Sequence, residues 1–448
     1  MKKITDRKKL ALYGCSGLGV NMLNIIVGSY LCSALLTGGF VDHIESWTYL
    51  NRDLVIPGLW AVFVFFAKAL DGLIDLPLAS FADRMKNRMG RRKSAILLGF
   101  VPMILSYLLF LVPLQGSATV WNTVWFGILL CIFYVSYTLT MLTYYATFSE
   151  VTENERDTLF LSNAKSICDV AYFSLGFALI PLFVSLGVNI RVVALLFLPL
   201  VLSMLIPFFL LDESGDEACE KRTLTLAKAL RGAFQNKAFI VWMLAASIMN
   251  IGLQLFLGGI NELFSSTGLN MTLVMASSFA PVPLTIIVYN KITKRYGLGI
   301  GYRYVLSIFS IGMLVMYFCN IYSSAMSELV LTLIAVLGGI FVSFAIGAFF
   351  SVTYTVPTHL AQAEYEKTGK TVATMYFAVE GLFEGIAAGI ATGFILVALK
   401  ANQVISILPI IVALCCGVAF AISFAFPRSI KALGRSEKIH LTESENKK

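Results

Sequence analysis

The sequence predicts an all-α membrane protein with twelve transmembrane helices arranged as two halves of six. Of its 448 residues, 58% are hydrophobic and only 13% are charged, whereas soluble domains carry about 25% charged residues. Twelve apolar segments have lengths suited to crossing a bilayer. A hydrophilic segment at residues 212–237 separates the first six from the last six.

The twelve predicted spans are residues 10–36, 54–81, 94–113, 121–148, 159–186, 192–211, 238–258, 272–290, 303–321, 328–355, 371–398 and 402–426. We therefore divide the chain into an N-terminal half at 1–211, a cytoplasmic linker at 212–237, a C-terminal half at 238–426 and a cytoplasmic tail at 427–448.

Basic residues indicate the orientation of these spans. With the N-terminus inside, the inside segments hold 29 of the 34 Lys and Arg residues, and the outside loops hold only Arg52, Arg191 and Lys400. Cytoplasmic segments are enriched in Lys and Arg, so we expect a multi-pass protein of the cell membrane with both termini in the cytoplasm. The formal charge of +8 is thereby explained without nucleic-acid binding. Seven of the eight cysteines lie in apolar segments, so neither disulfides nor a metal site is predicted.

The second span contains three charged residues, which are rare within transmembrane helices. Lys68, Asp71 and Asp75 fall on one face of a continuous helix because they are three and four residues apart. Each charge near the middle of a span costs ~2.5–3.5 kcal/mol on insertion scales, so this face should meet a partner, an ion or a wet cavity. A structural Lys–Asp pair between helices is the alternative. The excess of one carboxylate favours an exchangeable cation or proton.

Further polar or aromatic side chains within the spans are candidates for lining a central cavity. Tyrosines at such positions can also be ordinary core residues, and Lys165 stands four residues from Asp169, so this pair can be structural. The cavity candidates are Asn21, Asn24, Tyr137, Met141, Tyr144, Tyr145, Lys165, Asn250, Gln254, Glu380 and Glu384.

A charged loop follows the second span, with Asp83 and Arg84 and then Gly90, Arg91 and Arg92. It resembles the loop signature of the major facilitator superfamily, with Ala79 or Ser80 in place of the leading glycine and a longer spacing to Gly90. Together with the upstream Asp71-x-x-x-Asp75-x-Pro77, it is similar to the branch of glycoside–pentoside–hexuronide cation symporters that includes the melibiose carriers.

This resemblance implies a transporter, not an enzyme, that moves a sugar, glycoside or related small solute by alternating access. It implies coupling to Na⁺ or H⁺ through Asp71 and Asp75 with Lys68 as their modulator, a gating role for the charged loop, and no resident cofactor or metal. We expect the solute and the lipid bilayer as partners, and a monomer. No Walker phosphate-binding motif is present, so ATP does not drive transport directly.

Three departures from the relatives stand out. Asn21 and Met141 occupy positions where the relatives carry carboxylates, and Glu384 stands where the melibiose carriers have a lysine. A thioether is a poor ligand for a hard cation, so Met141 favours protons over sodium. The same departures leave two alternatives open: transport of an amphiphilic or other non-sugar solute, and a membrane sensor that does not transport.

Overall fold

A computed structural model describes residues 3–85, 89–153, 155–213, 234–265, 271–368 and 373–433. Every regular element in this part of the chain is helical, and helices occupy most of each of the twelve predicted spans. The α-helices are Arg7–Gly14, Leu18–Ile25, Ile44–Trp47, Pro57–Leu73, Asp75–Arg84, Arg91–Phe110, Val120–Ala146, Phe148–Val151, Glu155–Ser185, Ile190–Phe197, Ile206–Leu210, Lys237–Ser265, Met271–Phe279, Val282–Tyr296, Leu298–Ile321, Glu328–Thr368, Ala373–Gly389, Leu396–Ala401, Leu408–Ser423 and Arg428–Lys431.

Short helices of other types complete four of the spans. Two are π-helical, at Ile26–Leu31 and Ile390–Ile395, and three are 3₁₀-helical, at Ser33–Leu35, Leu198–Leu205 and Ile405–Ile407. Within the described residues, eleven helical segments are long and apolar enough to cross a membrane by length and composition. The second span is not among these eleven because it is divided into two shorter helices.

The division of the second span corrects the prediction of one continuous helix through Lys68 and Asp75. The helix Pro57–Leu73 ends at Ile74, and a new helix starts at Asp75. Pro77 explains this position, because proline has no N–H to donate and its ring clashes with the carbonyl four residues earlier, that of Leu73. Asp75 is therefore the first residue of a second helix instead of a residue within the first one.

Apolar side chains on the outer surface agree with a lipid environment. The third span, Arg91–Phe110, exposes a row of large hydrophobic residues three or four positions apart, which is one helix face. The row consists of Leu98, Val101, Leu105 and Leu108. Such a face is expected where a helix meets lipid, since the acyl chains are as apolar as the protein core.

The chain divides into two compact units. The first comprises Met1–Thr225 with the later segments Gly258–Ser266 and Ala388–Ile405, and the second comprises the remaining residues from Leu226 to Lys448. The C-terminal parts of the seventh and eleventh spans thus belong to the first unit. The predicted division of the chain at residues 212–237 places both in the C-terminal half.

Aromatic clusters form part of the core of each unit. In the first, the ring of Phe110 lies 5.1 Å from that of Phe126 and 6.5 Å from that of Trp60. In the second, Trp242 and Tyr302 are buried with ring centroids 5.6 Å apart, and Phe426 contacts both. Offset and edge-to-face pairs of this kind stabilise a core beyond their buried area.

Candidate functional site

The fourth span provides one wall of the candidate site in the first unit. Its helix, Val120–Ala146, runs without a break and is capped by the Thr119 side chain, which accepts a hydrogen bond from the backbone N–H of Asn122. Residues three or four apart share a helix face. Accordingly, Tyr134, Tyr137, Thr138, Met141 and Tyr145 follow one another along the helix, and each contacts a group from another span.

Asp71 is held by the fourth span. The hydroxyl of Thr138 donates a hydrogen bond to Asp71 Oδ1, so the carboxylate has a fixed oxygen partner one turn before Met141. Lys68 and Asp71 attract each other electrostatically, but no carboxylate in the described part of the chain forms an ion pair with Lys68 within 4.0 Å. The ammonium of Lys68 instead lies 4.2 Å from the ring centroid of Tyr134.

Asn21 and Tyr137 form a second contact on this wall. The hydroxyl of Tyr137 donates to Asn21 Oδ1 at 2.9 Å, which joins the first and fourth spans by a neutral hydrogen bond. Asn24 lies one turn further along, and its Oδ1 is buried without a partner among the described residues. Met141 is 3% exposed and lies against Gly17, so it fills the interface between these spans.

Tyr144 has a structural position. It is fully buried, and its hydroxyl donates to the backbone carbonyls of Tyr13 at 2.5 Å and Gly14 at 3.0 Å. These carbonyls belong to the end of the helix Arg7–Gly14, where the last C=O groups have no partner within the helix. Tyr144 therefore provides a hydrogen-bond donor for backbone carbonyls at the point where the helix of the first span is interrupted.

Lys165 pairs within its own helix. Its Nζ lies 2.5 Å from Asp169 Oδ2 and 4.9 Å from the ring centroid of Tyr145. Both charged side chains remain partly accessible, at 25% and 17%. The structure thus contains the Lys165–Asp169 pair that the sequence offered as the alternative to a cavity role for Lys165, and Tyr145 adds an aromatic face beside it.

The candidates in the second unit form a separate group. The amide of Asn250 donates to the backbone carbonyl of Glu384 at 3.1 Å, and Gln254 donates to Asn250 Oδ1 at 3.4 Å. Glu380 is 2% exposed and accepts from the indole N–H of Trp242 at 3.4 Å. Neither glutamate forms an ion pair within the described residues.

The predicted gating loop is anchored inside the first unit. Arg92 Nη2 lies 2.5 Å from Glu150 Oε1, and Arg91 Nη2 lies 3.4 Å from the same oxygen. Gly90 has φ +99°, a conformation that favours glycine. It leads into the helix Arg91–Phe110, whose first N–H groups donate to Glu213 at 2.9 Å. Asp83 and Arg84 lie in the helix Asp75–Arg84, and their side chains are outside the described residues.

Two arrangements were not predicted from the sequence. Cys15 and Cys168 form a disulfide in the structure, which corrects the prediction of unpaired packing residues. Lys400, predicted in an outside loop, is 2% exposed and pairs with the fully buried Glu262 at 2.5 Å. The seventh span, which we predicted to end at residue 258, continues as a helix to Ser265. That apolar continuation was the available signal for a buried Glu262.

The sequence profile of the MFS/sugar transport protein family matches residues 12–407. The chain belongs to this family. Membership makes it a multi-span membrane transporter instead of an enzyme and confirms the resemblance to the major facilitator superfamily. No curated protein matches the chain.

Solved structures with this fold include other transporters. The nucleoside transporter NupG has a TM-score of 0.63 at 17% identity, with 96% of this chain and 100% of NupG covered. A bacterial homologue of the human lysosomal transporter Spinster has a TM-score of 0.61 at 12% identity, with 95% and 97% covered. A bacterial homologue of the iron transporter ferroportin reaches 0.56 at 10% identity, with 94% and 97% covered. At these identities the likeness shows the fold alone.

Proposed function

We propose that this transporter is a cation-coupled symporter of a small polyhydroxylated solute, a sugar or glycoside, that works by alternating access. The observation that carries the proposal is the wall of the fourth span, where neutral hydrogen-bonding groups and aromatic rings adjoin the half-buried carboxylate of Asp71. Tyr137 with Asn21 and Tyr145 with Lys165 offer donors, acceptors and ring faces. Asp71, fixed by Thr138, supplies a charge that a coupling cation can neutralise.

The location of the coupling group follows from the same contacts. Asp71 and Asp75 repel each other electrostatically, and the break at Ile74 places Asp75 at the start of a helix. Two neighbouring carboxylates in a site of low dielectric favour sharing a proton, because ionising both is opposed. Met141 contributes no oxygen for sodium. We therefore propose protons as the coupling ion, with Asp71 and Asp75 as carriers and Lys68 as an electrostatic modulator.

The remaining assignments rest on the sequence. We propose that the protein lies in the cell membrane with both termini in the cytoplasm, since 29 of its 34 Lys and Arg residues then lie inside. We also propose that it is a monomer. In the second unit, we propose solute-binding roles for Asn250, Gln254, Glu380 and Glu384. Glu384 in place of a lysine argues for a solute without an anionic group at that position.

Counterflow in proteoliposomes tests the solute class. The vesicles are loaded with an unlabelled compound, and entry of the labelled compound is followed without any ion gradient. We expect counterflow with a monosaccharide or glycoside, and the panel includes a nucleoside, itself an N-glycoside, because NupG shares the fold. Counterflow only with an amphiphile contradicts the polyhydroxylated class. Binding without counterflow for every compound supports a sensor instead.

Gradients imposed one at a time test the coupling ion. Initial uptake of the solute found by counterflow is measured with a pH gradient alone, and then with a sodium gradient at matched pH. We expect the pH gradient to stimulate uptake and a protonophore to remove the stimulation. Stimulation by sodium with no effect of the protonophore shows that other oxygens replace the missing ligand at Met141, and it contradicts proton coupling.

A further inference from the structure

A small cavity inside the first unit adjoins the end of the fourth-span wall that carries Tyr134. It is lined by residues of the first, second and fourth spans together with the ends of the seventh and eleventh. About 30 Å³ is open to the centres of water-sized molecules, and one water needs roughly 10–15 Å³ on this measure. The space therefore suits a single small ion or about two waters.

The charges that line this cavity have one sign. Lys68 and Lys400 line it, and no carboxylate does so in the part of the chain that the structure describes. The ammonium of Lys400 is satisfied, because it donates to Glu262 Oε1 at 2.5 Å and to the carbonyl and hydroxyl oxygens of Ser33 at 2.8 and 2.7 Å. Lys68 has no such ion pair among the described residues. Of the two ammonium groups, the one of Lys68 is therefore the one without a carboxylate in direct contact among the described residues.

Tyr134 provides a second, independent observation. It is 1% exposed and lines the cavity, yet its hydroxyl has no hydrogen-bond partner in the described structure. A buried hydroxyl without a partner is unfavourable. The hydroxyl and Lys68 Nζ lie 3.0 and 3.7 Å from the point where a Cβ on Gly28 would stand. The glycine therefore leaves both groups facing one space.

We propose that this cavity binds a small monovalent anion between the ammonium of Lys68 and the hydroxyl of Tyr134. An ammonium has donors only, and a hydroxyl can donate one hydrogen bond as well as accept, so one acceptor can satisfy both groups. Because the charged side chains that line the cavity are both positive, a negatively charged acceptor is favoured over a neutral one. The same chemistry fits a free halide and a carboxylate group. The site goes beyond the proposed function, because occupancy requires neither a transported solute nor an ion gradient.

Thermal unfolding of the purified full chain tests the site. The midpoint is measured in sodium chloride, sodium acetate and sodium gluconate at one sodium concentration and without any solute. We expect chloride to raise the midpoint by about 2 °C or more over gluconate, saturating with concentration, because a ligand bound only by the folded state stabilises it. A rise with acetate but not with chloride assigns the site to carboxylates. No rise with either anion overturns the proposal.

Two variants locate the effect. Tyr134→Phe removes only the unpartnered hydroxyl, and we expect the midpoint concentration for chloride to increase about tenfold, as for loss of a hydrogen bond to a charged group. Lys68→Met should abolish the anion effect. If Lys68→Met fails to fold, Tyr134→Phe still decides the question.

Tyr107→Phe is the matched control. Tyr107 is equally buried, but its hydroxyl already donates to the carbonyl of Ala194 at 2.9 Å. This variant should lose some stability in every salt while keeping the full chloride effect. An unchanged chloride response in both Tyr134→Phe and Lys68→Met overturns the proposal, since the anion then binds elsewhere. Failure of solute counterflow leaves these outcomes unaffected.

Discussion

Replacing Asp71 with Asn is expected to abolish accumulation of the solute against a gradient while exchange across the membrane continues. Moving one charge across 100 mV supplies about 2.3 kcal/mol, which is about a fifty-fold gradient. The amide of Asn can still accept the hydrogen bond that Thr138 donates to Asp71, so the local fold is kept. The amide cannot ionise, so the coupling cation has nothing to neutralise. The accumulation ratio should fall from tens to about one.

The measurement compares uphill uptake with counterflow in the same vesicles, and Asp75→Asn is expected to behave in the same way. Asp6→Asn is the matched control, because Asp6 caps the first helix by accepting from the N–H of Lys8 at 2.9 Å and Asn caps a helix equally well. Normal accumulation in both Asp71→Asn and Asp75→Asn means that the two carboxylates are structural. Loss of counterflow as well as accumulation means that the solute site itself was damaged.

The largest expected loss of stability comes from Glu262→Gln. Glu262 is 0% exposed and Lys400 is 2% exposed, with their charged atoms 2.5 Å apart. Removing one partner of a buried ion pair leaves the other charge buried and costs about 3–5 kcal/mol. The ammonium of Lys400 also keeps its hydrogen bonds to Ser33, so it stays in place without its counterion. We expect the midpoint of thermal unfolding to fall by several degrees.

A double variant separates charge burial from packing. Glu262→Gln with Lys400→Met removes both charges, and it should recover most of the stability that the single variant loses, since replacing a whole buried pair by residues of similar volume is often close to neutral. Lys165→Met is the control, because it removes one partner of a more accessible ion pair: Lys165 and Asp169 are 25% and 17% exposed. Exposed pairs contribute about 1 kcal/mol or less to stability, so this variant should lose little. A double variant less stable than Glu262→Gln contradicts this explanation.

Agreement between sequence and structure is greatest where the physical signal is local. The helices Arg91–Phe110 and Val120–Ala146 follow from apolar runs of spanning length, and the pairing of Lys165 with Asp169 follows from spacing on one helix. The break at Ile74 also has a local cause in Pro77. The prediction that Lys68 and Asp75 share one helix face is wrong because it assumes a continuous helix. Hydropathy, helix period and proline chemistry each act within a few residues.

The sequence by itself therefore determined the twelve spans, the family and the presence of three charged residues within the second span. The tertiary structure alone decided which groups meet those charges. Thr138 and Asp71 are 67 positions apart, and Glu262 and Lys400 are 138 apart. Contacts of this kind depend on which helix faces pack together and at what height, and no short-range pattern encodes that. The packing of helix faces also explains the position of Lys68. The sequence groups Lys68 with Asp71 and Asp75, whereas in the structure its ammonium lies beside the ring of Tyr134 and lines a small cavity.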